Sequence, residues 1–305
     1  MREFRDMIRR TTIIAIAAIL LATVAFGLQR TSTVTGRGPK TSPFSEERVA
    51  RDLQKIVGFG PRPVGSEAST KTLSYILAEL SNAGLKPQLD QFQAQTPRGM
   101  KQMVNIRAKR PGANPSTIAI TGHYDTKLFD NMRFVGANDG GSSAAWLLEF
   151  ARATRDLKLQ NTLEFIFFDG EEAVVEWTDT DSTYGSRYDV RNRIVKDLKA
   201  LILGDMIGDK NLNIKREYQS TRWLKDIIWN TAHSLGYMKE FPNDEIEVAD
   251  DHVPYLRAGV PAVDLIDFDY PPWHKETDTL DKVSARSLKI VGDVVYFSLP
   301  AIDQH

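Results

Sequence analysis

Four apolar runs of strand length divide the second half of the chain's domain, and each one ends on ionisable residues. STIAITGHYD finishes with His123 and Asp125, and TLEFIFFDGEE with Asp169, Glu171 and Glu172. KALILGD finishes with Asp205, and PAVDLIDFDYPPW leads into His274. Unbroken β-branched and aromatic runs of this length are the mark of parallel strands covered on both faces. Helical patterns lie around them. Ser45 opens Glu46 to Ile56, where Val49, Leu53 and Ile56 share a face, and Glu67 to Ala83 follows the GFGPRPVGS loop. GGSSAAWLLEFARATRDL, Ser220 to Leu235 and Ser284 to Leu299 fit helices as well. KPQLDQFQAQTP alternates and QMVNIRAKR follows it, which predicts an antiparallel strand pair. The expected fold is α/β: three α/β/α layers with a mixed, mainly parallel central sheet and an antiparallel edge. Ligands of open α/β sheets bind outside the carboxyl ends of the strands. The ionisable side chains at four such ends are therefore expected to meet in one crevice.

The N-terminus reads differently. MREFRDMIRR carries four arginines and precedes TIIAIAAILLATVAFGL, which is apolar and uncharged. Residues 1–28 are expected to form a signal peptide or an uncleaved membrane anchor, with Thr23-Val24-Ala25 a fair cleavage site. Any membrane association would come through this segment. Residues 29–44 read as a flexible linker and 45–305 as the catalytic domain. In either case the domain is expected outside the cytoplasm: periplasmic, secreted or anchored. The 39 Lys and Arg nearly balance 40 Asp and Glu, so no basic excess points to nucleic acid. The absence of cysteine excludes disulfides, thiolate zinc sites and cysteine nucleophiles.

Imidazole and carboxylate donors in this pattern suit a catalytic zinc, which takes about three protein ligands and keeps one position open. The candidates are His123, Asp139, Glu172, Asp205 and His274. Taken alone, Asp139 in FVGANDGGSSAA favours a helix N-cap over a ligand. His123 alone is balanced between strand-end packing and ligation, and Asp125 has the place to orient it. An isolated Glu-Glu pair is a solvated turn. Behind FIFFDG, Glu171 and Glu172 need compensation instead, and one could bind metal while the other moves protons. Trp146, Trp223 and Trp229 sit at helical positions and read as core, and His233 as a surface or packing residue. Trp177 and Trp273 lie in loops beside the acidic pair and His274, where they would wall a small pocket. Asp250-Asp251-His252 reads as a turn followed by a helix start.

GHYDTK, FVGANDGG, FFDGEEA, GDMIGD and PPWHKETDT together resemble the zinc-dependent aminopeptidase family. DGEEAVVEWTDTDSTYGSRY, ADDHVPYLRAGVPAV and Trp273-His274 narrow the resemblance to its glutaminyl-peptide cyclotransferases, over about residues 45 to 300. The resemblance implies an acyltransferase that turns N-terminal glutamine of peptides or proteins into pyroglutamate and ammonia. It implies one zinc on Asp139, Glu172 and His274, with Glu171 as proton shuttle and Asp205 and Asp250 in its hydrogen-bond network. Trp177, Trp273 and His252 would surround the substrate, and His123, Asp125 and Asp205 would support the ligands or hold a second metal. The alternatives are a two-zinc aminopeptidase and, further off, a non-catalytic metal-binding ectodomain. The chain departs from the animal cyclases in lacking their cysteine pair and in carrying Asp264 where they have His in a VLHLI-like strand.

Overall fold

The computed structural model describes residues 42–193 and 195–305. The N-terminal segment expected as signal or anchor, and the linker up to residue 41, lie outside the described residues. The last linker residues belong to the packed domain: Ser42 donates its N–H and hydroxyl to Asp293, and the Phe44 ring is buried against Gly292.

The strands are β1 (Gln88–Thr96), β2 (Gly99–Arg110), β3 (Thr117–His123), β4 (Thr162–Phe168), β5 (Leu198–Asp205), β6 (Arg216–Glu217), β7 (Glu245–Ile246) and β8 (Ala262–Ile266). The helices are α1 (Glu46–Gly58), α2 (Glu67–Asn82), α3 (Gly141–Ala153), α4 (Tyr184–Asn192), α5 (Arg222–Ser234), α6 (His252–Arg257) and α7 (Ala285–Gln304). Six strands form the central sheet in the order β1-β2-β4-β3-β5-β8, while β6 and β7 make a small parallel pair. Strands β4, β3, β5 and β8 run parallel, and the β1–β2 hairpin continues the sheet antiparallel. The mixed, mainly parallel sheet with an antiparallel edge is thus the one expected from the sequence.

Every residue of β3 and β4 is buried, because helices cover both faces. Ile118, Ile120, Phe165 and Ile202 pack on the face covered by α1, α3, α5 and α7. Ala119, Ile166 and Leu203 face the thinner layer of α4 and α6, through Val190 and Tyr255. The chain leaves β3 in one direction to β4 and later returns on its other side as β5. That reversal opens a crevice at the carboxyl ends of these strands.

Helix α1 begins where the capping pattern placed it, with the Ser45 hydroxyl accepting the Arg48 N–H. Helix α7 runs five residues beyond the expected end, straight through Pro300. Burial of Ile302 and the bonds from the Gln160 and Asn161 N–H groups to Asp303 compensate for the donor that proline lacks. Helix α4 had no apolar stripe to announce it; ion pairs of Arg193 with Asp189 and Glu164 secure its end.

Candidate active site

Four loops carry the site, and buried polar contacts fix each of them. The Asp125 carboxylate, just past β3, accepts the N–H groups of Glu171 (3.2 Å) and Glu172 (3.3 Å) and so sets the loop after β4. Asp169 turns away from this crevice and accepts the Val104 N–H at 2.9 Å, tying β4 to β2. Asp278 accepts the N–H groups of Asn138 (2.8 Å) and Asp139 (3.1 Å) and the Tyr270 hydroxyl (2.7 Å), locking the Asp139 loop to the one that carries His274. Arg62, fully buried between two prolines, donates to the carbonyls of Tyr124 (3.0 Å), Val135 (2.7 Å) and Gly136 (2.9 Å). Sequence reasoning missed Arg62 and Asp278. Their only signals were a charged residue in a Gly/Pro loop and an acid four residues past His274.

Asp139 is not the N-cap that it resembles in isolation. Gly140 takes that place at φ 76, where a side chain would also collide with the Asp125 carbonyl. This frees the Asp139 carboxylate to bridge two imidazoles. Its Oδ1 lies 3.3 Å from His123 Nε2, and its Oδ2 lies 3.4 Å from His274 Nε2. His274, itself at φ 53, brings the same nitrogen within 3.3 Å of Glu172 Oε1. Positive φ in a non-glycine residue costs energy that the surrounding contacts must hold in place.

Asp139, Glu172 and His274 each offer one ligand atom, all within 4.8 Å of one another. His123, Asp139 and Asp205 form a second such group sharing Asp139. In that second group His123 Nε2 already pairs with Asp205 Oδ1 at 3.0 Å, and the Met206 N–H donates to the same oxygen at 2.8 Å. Asp125 was expected to orient His123. Its nearest oxygen is 3.5 Å from Nδ1, which has no hydrogen-bond partner among the described residues, so its bonds serve the Glu171-Glu172 backbone instead.

The electrostatics follow from burying this many acids together. Burial lowers the His274 imidazole, yet the adjacent carboxylates of Asp139 and Glu172 outweigh that and carry it to about 9. Burial, then the Asp139 charge, raises Glu172 to about 7. Burial also works against ionised Asp139, but His123 and His274 hold it below its usual range. Burial pushes Glu171 well above the ordinary carboxyl value; His123 opposes this, while Glu172, Asp250 and Asp251 add to it. Asp250 is raised by burial and then by Asp205 and Asp251. A bound cation would compensate crowded carboxylates of this kind. Asp139 Oδ2 fits that reading, being buried without a hydrogen-bond partner among the described residues. The donor set of two carboxylates and one imidazole suits a divalent metal with an open position.

A cavity of about 520 Å³ opens on this group and takes in Glu171, Asp205 and Asp250, within the usual size of small-molecule sites. Trp177 and Trp273 line it and stay 41% and 40% exposed despite their size. Trp273 stacks on His274 with ring centres 4.2 Å apart, and Phe268 leans on Trp273 at 4.7 Å. His252, expected to line the pocket, does not reach it. The residue is 0% exposed and lies between Glu217 Oε2 (3.2 Å) and Asp264 Oδ2 (3.7 Å), beneath the Asp250-Asp251 turn. The Asp-Asp-His segment itself is the expected turn and helix start.

Comparison with known proteins agrees with this geometry. The family model described as peptidase family M28 matches residues 105–298. A glutaminyl-peptide cyclotransferase-like protein of Bos taurus is 30% identical over 288 residues, covering 80% of this chain and 75% of that protein. The solved glutaminyl cyclase of an Acidobacteriales bacterium is 35% identical with a TM-score of 0.81, covering 87% of this chain and 97% of the other. A leucine aminopeptidase precursor from Bacteroides thetaiotaomicron superposes with a TM-score of 0.79 at 24% identity, over 86% of this chain and 98% of its own, and shares the fold. The chain therefore belongs to peptidase family M28, and within it to the glutaminyl-peptide cyclotransferases.

Proposed function

We propose that the protein cyclises N-terminal glutamine of peptides to pyroglutamate and releases ammonia, with one zinc ion held by Asp139, Glu172 and His274. The observation that carries this reading is the contrast between the two donor groups. All three residues of the Asp139-Glu172-His274 group line the tryptophan-walled cavity, whereas His123 of the second group does not and is 1% exposed. A zinc ion bound there would act as a Lewis acid on the side-chain amide carbonyl.

This chain's own residues supply the rest. Trp177 and Trp273 hold the apolar part of the glutamine side chain and limit water, which the reaction does not consume. Glu171 takes a proton from the substrate α-amine as its nitrogen bonds to the side-chain amide carbon. The same carboxyl then returns the proton to the departing nitrogen, and the carbon–nitrogen bond breaks to release ammonia. A residue that serves as base and then acid works best with a proton affinity near ambient pH. Burial and the Glu172, Asp250 and Asp251 charges push Glu171 upward in that direction. The attacking amine is tethered to the amide it attacks, so much of the entropy of bringing them together is already lost.

A two-metal aminopeptidase is the second reading, favoured by the His123-Asp139-Asp205 group. Purified zinc-loaded protein should convert a Gln-initiated dipeptide to its pyroglutamyl form with one ammonia released per conversion, and leave a Leu-initiated one intact. Leucine release without pyroglutamate would overturn the proposal in favour of the hydrolase. The arginines and apolar run at the N-terminus support a domain that works outside the cytoplasm. Fractionation of cells that make the tagged full-length chain should then recover the domain from the medium, the periplasm or the membrane; recovery in the cytosolic fraction would contradict this.

A further inference from the structure

A second cavity, of about 240 Å³, adjoins the first and shares Trp177, Ala249 and Asp250 with it. Its walls come from the thin helical layer, α4 and α6, and carry Arg187, Arg191 and Arg257. Arg187 and Arg191 are four residues apart on α4 and so neighbours on one face, an arrangement of like charges that costs helix stability. Arg187 is committed to its own loop. Its guanidinium donates to the Ser182 carbonyl at 2.7 Å and lies over the Tyr184 ring at 4.9 Å. Burial, and next the like charge of Arg191, holds it below its usual value. Arg191 is exposed and donates its Nε to the Arg187 carbonyl at 3.0 Å. Arg257 meets Asp179 at 3.2 Å, with the two side chains 64% and 80% exposed. Asp250, the other carboxylate among the described lining residues, is buried. Three guanidiniums therefore face one exposed carboxylate in a groove that runs into the main cavity. The main cavity's own lining is mostly of the opposite sign, with Glu176 and Glu247 at its rim against Lys127.

A substrate with its glutamine side chain in the first cavity continues from its α-carbonyl, and each following residue extends at most about 3.5 Å. Its second and third residues must therefore lie close to the cavity mouth. Resting on the cyclase reading, we propose that the peptide leaves over Trp177 into this groove, where Arg191 and Arg257 select substrates with Asp or Glu as second or third residue. Asp179 is then the intramolecular stand-in for the substrate carboxylate, and it gives way when an acidic peptide arrives.

The test compares three amidated peptides, Gln-Ala-Ala, Gln-Glu-Glu and Gln-Lys-Lys, by kcat/KM at low ionic strength. The acidic peptide should exceed the neutral one by about three- to tenfold, the range of one or two exposed ion pairs, and the basic one should fall below it. The preference should vanish in the Arg191→Glu, Arg257→Glu double variant, and decline at about 1 M salt, where the Debye length is about 3 Å. Turnover of Gln-Ala-Ala should change far less than that of Gln-Glu-Glu, since neither arginine touches the reacting atoms. Each single substitution should remove part of the preference. Equal turnover of all three peptides, or a preference that survives both substitutions, would overturn the subsite while leaving the cyclase reading intact. If none of the three is cyclised, the cyclase reading itself fails and the subsite falls with it.

Discussion

Replacing Glu171 by glutamine separates catalysis from folding at the residue on which the proposed proton transfer turns. Glutamine keeps the shape but cannot take up and return a proton. The main chain of Glu171 is anchored independently of its side chain: its N–H goes to Asp125 at 3.2 Å, and its carbonyl accepts the Thr183 N–H at 2.7 Å. Its carboxylate lies 3.7 Å from His123 Nδ1. Burial and three neighbouring acids already disfavour its charged form, with His123 in opposition. Loss of the charge should therefore cost less than about 1 kcal/mol, or stabilise the fold, and shift Tm by no more than about 4 °C. General acid–base catalysis contributes about 10²–10⁴-fold, so kcat should fall by that factor, a barrier increase of about 2.7–5.4 kcal/mol. The assay follows ammonia from a Gln-initiated dipeptide, with zinc content and thermal melting measured on the same preparation. A kcat within about threefold of the parent, at unchanged zinc content, would refute the proton-transfer role.

Three other outcomes follow from the same geometry. The proposed metal binding requires unprotonated His274 and Glu172, which stand at about 9 and about 7 in the metal-free protein. The apparent zinc association constant should therefore fall about tenfold per pH unit below 9 and more steeply below 7; chelator competition that shows a flat profile from about pH 6 to 8 would contradict this. Arg62→Met orphans three buried carbonyls and should cost about 3 kcal/mol or more, on the order of 10 °C in Tm; a melt within about 2 °C of the parent would discount its role as a clamp. Asp264 is held well above its ordinary value by burial and then by Asp250 and Asp205, and both its oxygens lack partners among the described residues. A raised acid favours folding while protonated, and that advantage is lost as pH rises from the unfolded value of about 4 through the folded one. Asp264→Asn should thus stabilise the protein increasingly from acid to alkaline pH in denaturant titrations, and a gain that shrinks with pH would refute the reasoning.

The parallel strands were legible in the sequence because a strand buried on both faces must be apolar throughout, and β3 and β4 are buried at every position. The placing of His123, Glu171, Glu172 and Asp205 at one sheet edge followed from where those runs stop. What was illegible depended on contacts between distant residues. Asp139 has the local signature of an N-cap, but Gly140 takes that place, and Asp278, 139 residues away, holds the Asp139 backbone. The resemblance of the Asp250-Asp251-His252 segment to the cyclases places His252 in the pocket. Glu217 and Asp264, from two other elements, hold it inside the protein instead. Asp125 stands two residues past His123, but its carboxylate serves the backbone of the neighbouring strand's loop. Helix α4 escaped notice for a different reason, since polar pairing on a thin layer leaves no apolar period to read.

The most direct measurement of the central claim is an anomalous difference map at the zinc edge, from crystals of zinc-loaded protein. One strong peak is expected among Asp139, Glu172 and His274, about 2.0–2.2 Å from their donor atoms, with nothing comparable between His123 and Asp205. A map empty at the first position, or with equal peaks at both, would contradict the account.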